Sequence, residues 1–259
     1  MTPDFNLDGK TALVTGASGG LGRHFAGVLA AAGARVVVCA RRMDKVLETV
    51  AGIEALSGSG GGKAIGVEMD VTDAASVAAA FEAVEEQAGT VTVVVNNAGV
   101  ADGKAALELT EDDWDRILDT NLKGAWTVAQ KAAKRMAAAE TGGVIVNIAS
   151  VLGLRVGKGV LPYAVSKAGL VQMTKALALE LAPLNIRVNA LAPGYVGTDL
   201  TREYLASEHG QKQIKRVPFR RPGTMEELSG PLLLLCSDAS AYMTGSVLAV
   251  DGGHLVSSL

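Results

Sequence analysis

The sequence is poor in the residue types that usually build metal centres and disulfide frameworks. Its 259 residues include two cysteines and three histidines, and only 4% are aromatic. Cys39 and Cys236 lie in apolar segments without metal-like or disulfide spacing, so we expect both in the core. The histidines, His24, His209 and His254, are scattered along the sequence, which argues against a histidine-based metal site. We therefore predict no bound metal.

Long apolar runs and an excess of positive charge are also absent. No stretch approaches the roughly 18 consecutive apolar residues of a membrane span, and the run from Pro231 to Cys236 is far shorter. The segment from Met1 to Lys10 lacks the apolar centre of a signal peptide. The formal net charge of −3 disfavours a general nucleic-acid or anionic-membrane surface. We expect a soluble, cytoplasmic protein with no nucleic-acid or membrane partner.

What the sequence does have is a regular alternation of short apolar runs with helical patterns. Hydrophobic residues make up 49% of the chain, and there are 31 glycines. Such alternation indicates parallel strands joined by right-handed crossovers. We predict a single doubly wound α/β domain of the Rossmann type over residues 1–259, with about seven parallel strands and helices on both faces. The predicted strands are 11–15, 35–40, 64–69, 91–95, 144–149, 186–191 and 247–250, and the predicted helices include 43–56, 74–87, 111–139 and 224–236.

A glycine-rich turn, Thr15-Gly-Ala-Ser-Gly-Gly-Leu-Gly22, joins the first predicted strand to the first helix. Gly16, Gly20 and Gly22 have no Cβ atoms where a pyrophosphate would have to approach the backbone. The helix N-terminus then offers free N–H groups and a partial positive charge to the phosphates. A tight strand–helix connection is the alternative for such a turn. Its position after the first strand and before an amphipathic helix favours nucleotide binding.

The end of the second predicted strand indicates which nucleotide is bound. A carboxylate there suits the ribose hydroxyls of NAD, whereas an arginine suits the 2′-phosphate of NADP. The chain has Arg41 and Arg42 after Ala40 and no carboxylate, and a guanidinium can bind phosphate through two hydrogen bonds. The alternative is that both arginines form the solvated start of a helix. We predict NADP(H) rather than NAD(H).

Tyr163 and Lys167 are spaced so that both side chains lie on one face of a helix. A tyrosine hydroxyl ordinarily has a pKa near 10, too high for a base at neutral pH. A nearby lysine cation favours the phenolate and lowers that pKa. The pair is therefore a candidate proton donor and acceptor, although a surface helix pair would have the same spacing.

Taken together, the motifs of this chain resemble those of the short-chain dehydrogenase/reductase family. The resemblance extends from Gly9 to the closing Asp251-Gly-Gly253, and it is greatest to single-domain ketone reductases, a group with 3-oxoacyl thioester reductases and gluconate dehydrogenases. The motifs that occur in the family's order and spacing are the glycine turn, Asn96-Asn-Ala-Gly99, Asn121, Ser150 and Tyr163 with Lys167.

The resemblance implies four catalytic residues. Tyr163 would give a proton to the carbonyl oxygen during reduction or remove it from the alcohol during oxidation. Lys167 would lower the phenol pKa and hydrogen-bond the nicotinamide ribose. Ser150 would donate a hydrogen bond to the oxygen on which charge develops. Asn121 would hold a water that links Lys167 to bulk solvent.

The resemblance also implies which residues contact the cofactor. Asp70 would hydrogen-bond the adenine amino group, and Asn96 would buttress the sheet rather than touch the nucleotide. Helix capping is the alternative for Asp70 and Thr198, since both precede helical segments. The predicted cofactor-binding residues are Gly16, Ser18, Gly20, Leu21, Gly22, Arg41, Arg42, Asp70, Val71, Asn97, Ala98, Gly99, Tyr163, Lys167, Pro193, Gly194, Val196 and Thr198.

Three segments are expected to wall the substrate pocket: residues 100–109, 151–162 and a covering segment at 195–221. Basic residues between Lys212 and Arg221 suit an anionic substrate, but a solvated helix face is the simpler interpretation. We predict an NADP(H)-dependent reductase of a ketone or 3-oxo compound that also oxidises the alcohol. The alternatives are an NAD-dependent dehydrogenase of a secondary alcohol or sugar acid, and a catalytically silent nucleotide-binding regulator. The family implies a homotetramer.

Overall fold

The computed structural model describes residues 4–57, 63–198 and 201–257, and it contains a seven-stranded sheet of order β3-β2-β1-β4-β5-β6-β7. Every neighbouring pair of strands in that sheet is parallel, as predicted. The order reverses between β1 and β4, which creates a crevice at the carboxyl edge of the sheet. The strands are β1 Thr11–Thr15, β2 Arg35–Ala40, β3 Ala64–Glu68, β4 Val93–Asn96, β5 Gly143–Ile148, β6 Ile186–Pro193 and β7 Val247–Val250.

Helices connect the strands and cover the sheet on both sides. They are α1 Gly20–Ala31, α2 Met43–Ser57, α3 Ala74–Ala88, α4 Glu111–Leu118, α5 Gly124–Ala138, α6 Leu161–Leu181, α7 Arg202–Ala206, α8 Glu208–Ile214 and α9 Ser229–Cys236. Helices α1, α2 and α9 pack in one apolar core, and α3 and α5 pack in a second core with the end of α6. The Rossmann-type fold is therefore confirmed, with helices on both faces.

Strand β2 shows why the sequence forms a sheet that is buried on both sides. Val36 and Val38 belong to the core under α1 and α2, whereas Val37 and Cys39 point to the opposite core. Alternate residues of a strand face opposite sides, so a continuous apolar run supplies both cores at once. Burying each valine contributes roughly 1.5–3 kcal/mol. Cys39 is fully buried and Cys236 nearly so, and both are free thiols, as expected.

The structure differs from the sequence prediction in three places. The predicted helix 111–139 is divided by a π-helical turn, Asp119–Lys123, that separates α4 from α5. The predicted helix 224–236 begins as α-helix only at Ser229, after a 3₁₀ turn at Glu226–Leu228. The covering segment 195–221, for which no helix was predicted, contains α7 and α8. No helix in the described ranges is long and apolar enough to span a membrane.

Candidate active site

A cleft of about 650 Å³ opens at the carboxyl edge of the sheet, where β1 and β4 lie side by side. All the predicted cofactor-binding residues line this cleft, and Ser150 lines it as well. They come from the loops after six of the strands and from α6, because parallel strands end at the same edge. Asn121 does not line the cleft, although it was predicted as a catalytic residue.

The glycine turn forms one wall of the cleft. A Cβ atom on Gly16 would lie 2.8 Å from the Cα of Ala98, and one on Gly22 would lie 2.4 Å from the Gly16 carbonyl oxygen. Gly16 also has a φ of +65°, a conformation that favours glycine. Only glycine therefore fits at these two positions, and the backbone is left open in front of the N-terminus of α1. This shape suits a pyrophosphate, so the residues present fit a dinucleotide.

Thr15 and Asn97 fasten this turn to the loop after β4. The Thr15 hydroxyl oxygen accepts hydrogen bonds from the backbone N–H groups of Asn97 and Ala98, both at 3.0 Å. The Asn97 side chain donates to the Thr15 carbonyl at 2.9 Å and to the Gly16 carbonyl at 3.3 Å. The two loops at the crevice are thus held together by polar contacts. Sequence reasoning missed Thr15, although it directly precedes the glycine turn.

Arg41 and Asp70 lie at the opposite end of the cleft from Ser150. The Arg41 Nη1 atom is 4.0 Å from a carboxylate oxygen of Asp70, and the Arg41 side chain is 70% exposed. Asp70 also accepts hydrogen bonds from the backbone and hydroxyl of Thr72 at 2.9 and 2.7 Å. Partial burial would raise the pKa of Asp70, but these hydrogen bonds and the charge of Arg41 hold it below its ordinary value. Asp73, not Asp70, caps α3, so the capping alternative for Asp70 is wrong.

Ser150, Tyr163 and Lys167 meet at the other end. Ser150 follows β5 and accepts a hydrogen bond from Leu152 N at 3.1 Å, while Tyr163 and Lys167 lie one turn apart on α6. The Lys167 Nζ atom is 5.6 Å from the centre of the Tyr163 ring and donates to the Ile148 carbonyl at 2.7 Å. Lys167 is only 5% exposed. The three side chains therefore share one mostly buried corner of the cleft.

Burial dominates the acid–base properties of this corner. It raises the pKa of the Tyr163 phenol, and a hydrogen bond with Ser150 opposes that rise. It also lowers the pKa of the Lys167 ammonium to about 8. The sequence prediction that Lys167 lowers the phenol pKa differs from this result, because loss of hydration dominates and the opposing effect comes from Ser150.

Asn121 lies in the π-helical turn and is almost completely buried. Its side chain accepts from Val100 N at 2.8 Å, donates to the Val100 carbonyl at 2.9 Å and donates to Ser166 Oγ at 3.1 Å. Ser166 in turn donates to the carbonyl of Tyr163 at 2.8 Å. Asn121 therefore joins the loop after β4 to the first turns of α6. The predicted water-holding role remains a prediction.

The hydrogen bonds of Asn96 and Thr198 bear on the roles predicted for these two residues. The Asn96 side chain donates to the Ala125 carbonyl at 3.1 Å and to the Asn147 side chain at 2.9 Å, which fits the expected buttressing role. Thr198 lines the cleft but does not cap α7 through its side chain; its backbone N–H donates to Thr201 Oγ1 at 3.0 Å. Thr201 also lines the cleft and donates to the Val196 carbonyl at 2.6 Å. Nothing in the sequence pattern indicated Thr201.

Within residues 4–57, 63–198 and 201–257, no three His, Cys, Asp or Glu side chains lie together in an arrangement that could hold a metal ion.

Comparison with known proteins agrees with this geometry. Residues 16–254 match the model of a family described as enoyl-(acyl carrier protein) reductase. The chain is 39% identical to a 3-oxoacyl-(acyl-carrier-protein) reductase from Aquifex aeolicus, over 96% of this chain and 99% of that protein. It is 40% identical to a short-chain type dehydrogenase/reductase from Mycobacterium marinum, with a TM-score of 0.91 and 97% of each chain covered.

A third relative was solved with a nucleotide. It is a gluconate 5-dehydrogenase from Burkholderia cenocepacia in complex with NADP and tartrate, 33% identical, with a TM-score of 0.93 and 99% of each chain covered. The matches span nearly the whole length of this chain and of its relatives. The chain therefore belongs to the short-chain dehydrogenase/reductase family of oxidoreductases.

Proposed function

We propose that this protein transfers a hydride between NADP(H) and a ketone or secondary alcohol, with reduction of a ketone or 3-oxo compound as its main reaction. One observation carries the proposal. A phenol, an ammonium and a hydroxyl meet at one end of a cleft that also holds a glycine turn shaped for a pyrophosphate. The relatives named above, a 3-oxoacyl reductase and a gluconate dehydrogenase, both fit this reaction type.

Tyr163, Ser150 and Lys167 divide the work of proton transfer. The phenol of Tyr163 gives its proton to the substrate oxygen in reduction and takes it back in oxidation. Burial raises its pKa, so the phenol is protonated at neutral pH and ready to act as the acid. Ser150, hydrogen-bonded to the phenol, stabilises the same oxygen as charge develops on it. The nicotinamide, when bound, supplies or accepts the hydride.

Lys167 and Asn121 support Tyr163 and Ser150. Lys167, fixed by the Ile148 carbonyl, supplies positive charge near the Tyr163 ring and would hydrogen-bond the nicotinamide ribose. Asn121 holds the turn of α6 that carries Tyr163 through Ser166. We include in the proposal the water held by Asn121 as a path between Lys167 and solvent. The covering segment 195–221 would close over the substrate as part of the same domain.

The residues that would hold the cofactor favour NADP(H) over NAD(H). Gly16, Gly20 and Gly22 would receive the pyrophosphate, and Asp70 and Val71 would lie beside the adenine. At the end of β2 the chain offers Arg41 and Arg42 to the cleft, where a carboxylate would suit NAD. Arg41 is exposed, and at 4.0 Å from Asp70 it forms only a weak surface ion pair. It can therefore turn toward a 2′-phosphate without losing a strong partner.

We also propose a homotetramer. Helix α6 carries the exposed apolar side chains Leu161, Val165 and Leu179, and α5 carries the exposed Trp126. Exposed apolar side chains on neighbouring helices are typical of surfaces that pair with another copy. Sedimentation equilibrium measures this directly, and a monomer at micromolar concentration would contradict it.

Turnover of Tyr163→Phe tests the function. The assay follows oxidation of NADPH with acetoacetyl coenzyme A or ethyl acetoacetate, and reduction of NADP⁺ with D-gluconate. We expect wild-type turnover with at least one of these compounds and a loss of roughly 10²- to 10⁴-fold in kcat for the variant, because a positioned acid is removed. The dissociation constant for NADPH, measured by fluorescence, should change little.

Tyr242→Phe is the matched control, because that tyrosine is fully exposed and does not line the cleft. It should keep the wild-type kcat. A Tyr163→Phe variant with wild-type kcat would remove Tyr163 from the mechanism. If the wild type binds NADPH but turns over neither nucleotide with any of the three compounds, the proposed reaction should be abandoned.

A further inference from the structure

Four aromatic rings form a continuous series between the covering segment and the C-terminal turn. The His209 ring meets the edge of the Tyr204 ring at 6.0 Å between centres. Tyr204 is stacked on Tyr195 at 5.8 Å, and Tyr195 is stacked on His254 at 5.3 Å. The hydroxyl oxygens of Tyr195 and Tyr204 are 3.4 Å apart. We call Tyr195, Tyr204 and His254 the ring stack.

Two members of the ring stack are fixed to the body of the protein by their backbones. The Tyr195 carbonyl accepts from Gly223 N at 2.8 Å, and the neighbouring Gly194 N donates to the Val250 carbonyl at 2.9 Å. These two bonds fix the backbone at Tyr195 between the strand edge and the 223 turn, and so place its ring against His254.

His254 is fixed in a similar way. Asp251 accepts hydrogen bonds from Gly253 N at 2.8 Å and Leu255 N at 2.7 Å, which orders the C-terminal turn. Arg155 donates to the His254 carbonyl and, at 2.9 Å, to Ser257 Oγ. Arg155 lies five residues after Ser150, so the C-terminal turn is fastened to the same loop that carries the catalytic hydroxyl.

Tyr204 belongs to a short helix at the surface of the protein. Helix α7 has five residues and none of them is buried. It joins α8 at a tight corner, where a Cβ on Gly210 would lie 1.9 Å from the Tyr204 carbonyl oxygen. A helix this short is not stable alone. The stacking of Tyr204 on Tyr195 therefore adds a side-chain contact to the hydrogen bond from Thr201, at the start of α7, to the Val196 carbonyl.

The ring stack borders the catalytic end of the cleft. Tyr195 directly follows Gly194, which lines the cleft, and Arg155 reaches the stack from the loop of Ser150. The adenosine end, with Arg41 and Asp70, is built from other loops. The predicted cofactor-binding residues of this segment lie between Pro193 and Thr198, before α7, and Tyr204 itself does not line the cleft. A change at Tyr204 should therefore affect the substrate more than the cofactor.

We propose that Tyr204 and Tyr195 are positioning residues that seat α7 over the substrate end of the cleft by stacking on His254. The claim that α7 covers the substrate rests on the proposed function. The claim that the ring stack holds α7 in place rests on geometry alone. Substrate affinity depends on the stack in this arrangement, whereas NADPH affinity and the chemical step do not.

Kinetics of three variants test the proposal. An aromatic pair contributes enough to change an equilibrium by roughly 2- to 12-fold. We therefore expect Tyr204→Ala to raise KM for acetoacetyl coenzyme A, ethyl acetoacetate or D-gluconate, whichever is turned over, by about 3- to 10-fold. The KM for NADPH and kcat should stay within about twofold of wild type. Tyr204→Phe keeps the ring and should restore KM, and Tyr242→Ala is the control for removal of an exposed tyrosine ring.

Amide hydrogen exchange tests the seating without any substrate. Exchange in residues 201–214, with NADPH bound, should be faster in Tyr204→Ala than in wild type, and close to wild type in Tyr204→Phe. Unchanged exchange in Tyr204→Ala, an equal rise in KM for NADPH, or a Tyr204→Phe variant as impaired as the alanine variant would each overturn the proposal. If no compound is turned over, the proposed reaction fails while the exchange result still decides the role of the stack.

Discussion

The two ends of the cleft each contain a cation, and the two cations are held in opposite ways. Lys167, at the catalytic end, is 5% exposed and donates to the carbonyl of a core strand. Arg41, at the adenosine end, is 70% exposed and lies 4.0 Å from Asp70. Lys167 is fixed where removal of its charge from water costs free energy. Arg41 is free to move where its charge stays in water and costs almost nothing.

This difference follows from what each end has to do. At the catalytic end a charge must act on a bond-making atom, so a dry and rigid setting strengthens its effect. At the adenosine end a charge must attract and select a phosphate, which a mobile surface arginine can do from solution. Burial therefore serves chemistry at one end, and exposure serves recognition at the other.

The largest effect that tests this comparison is expected from Lys167→Met. Removal of the buried cation should lower kcat by roughly 10²-fold or more. The same change should raise stability at pH 7, because burial lowers the pKa of Lys167 from 10.5 to about 8 and so marks a cost of burying its charge. Each pKa unit corresponds to about 1.4 kcal/mol, so a gain on the order of 1–3 kcal/mol in unfolding free energy is expected.

The pH dependence of that gain gives a sharper readout. Below pH 8 the folded wild type carries the full cost of the buried charge. Between pH 8 and 10.5 the folded state releases the proton before the unfolded state does, so wild-type stability rises relative to the variant. The difference in unfolding free energy should therefore narrow from pH 7 to pH 9.5. Lys175→Met, an exposed lysine on the same helix, should change neither kcat nor this profile. A destabilised Lys167→Met variant at pH 7 would contradict the comparison.

At the exposed end, Arg41→Asp should change selection without changing stability. Loss of a charge-assisted hydrogen bond of roughly 1.5–3 kcal/mol should lower the ratio of kcat/KM for NADP(H) over NAD(H) by about 10- to 100-fold. Because Arg41 is 70% exposed, its replacement should alter unfolding free energy by about 0.5 kcal/mol or less. Arg35→Asp, at the opposite end of the same strand, is the control and should leave the ratio unchanged. An unchanged ratio in Arg41→Asp would refute a 2′-phosphate role.

The sequence predicted the positions of both cations but not their surroundings. Strand periodicity locates the carboxyl ends of β1, β2 and β5, and parallel strands bring those ends to one edge. The glycine turn, Arg41 and Ser150 could therefore be placed in one cleft on the pattern of residues alone. Local spacing on α6 then placed Lys167 beside Tyr163.

Features that depend on packing between distant segments could not be predicted in this way. The balance of burial and charge at Tyr163 depends on every side chain around it, so the direction of its pKa shift differed from expectation. The π-helical turn at Asn121 has no propensity signal in the sequence. The contacts among Tyr195, Tyr204 and His254 join residues up to about sixty positions apart, and no periodic pattern links them.

The smallest effect is expected from a partly exposed ion pair between the loop after β4 and α4. Asp113 accepts a hydrogen bond from Lys104 at 2.5 Å, which fastens the loop after β4 to α4. That hydrogen bond, with others from Thr110, lowers the pKa of Asp113 from 3.8 to about 2. The stabilisation is therefore present above about pH 4 and is lost as pH falls through about 2.

Asp113→Asn removes the charge and keeps an oxygen that can accept from Thr110. We expect a small fall in Tm at pH 6, and a difference from wild type that shrinks as pH falls from about 4 toward 2 or as salt is added. Glu111→Gln removes a charge from the same first turn of α4 but keeps the ion pair of Asp113 with Lys104, so it is the matched control and should lower Tm less. The comparison of buried and exposed charges would be contradicted if Asp113→Asn lowered Tm by as much as Lys167→Met raises it. A partly exposed ion pair would then matter to stability as much as the buried charge of Lys167, and solvent exposure could no longer explain why Arg41 is free to select the cofactor.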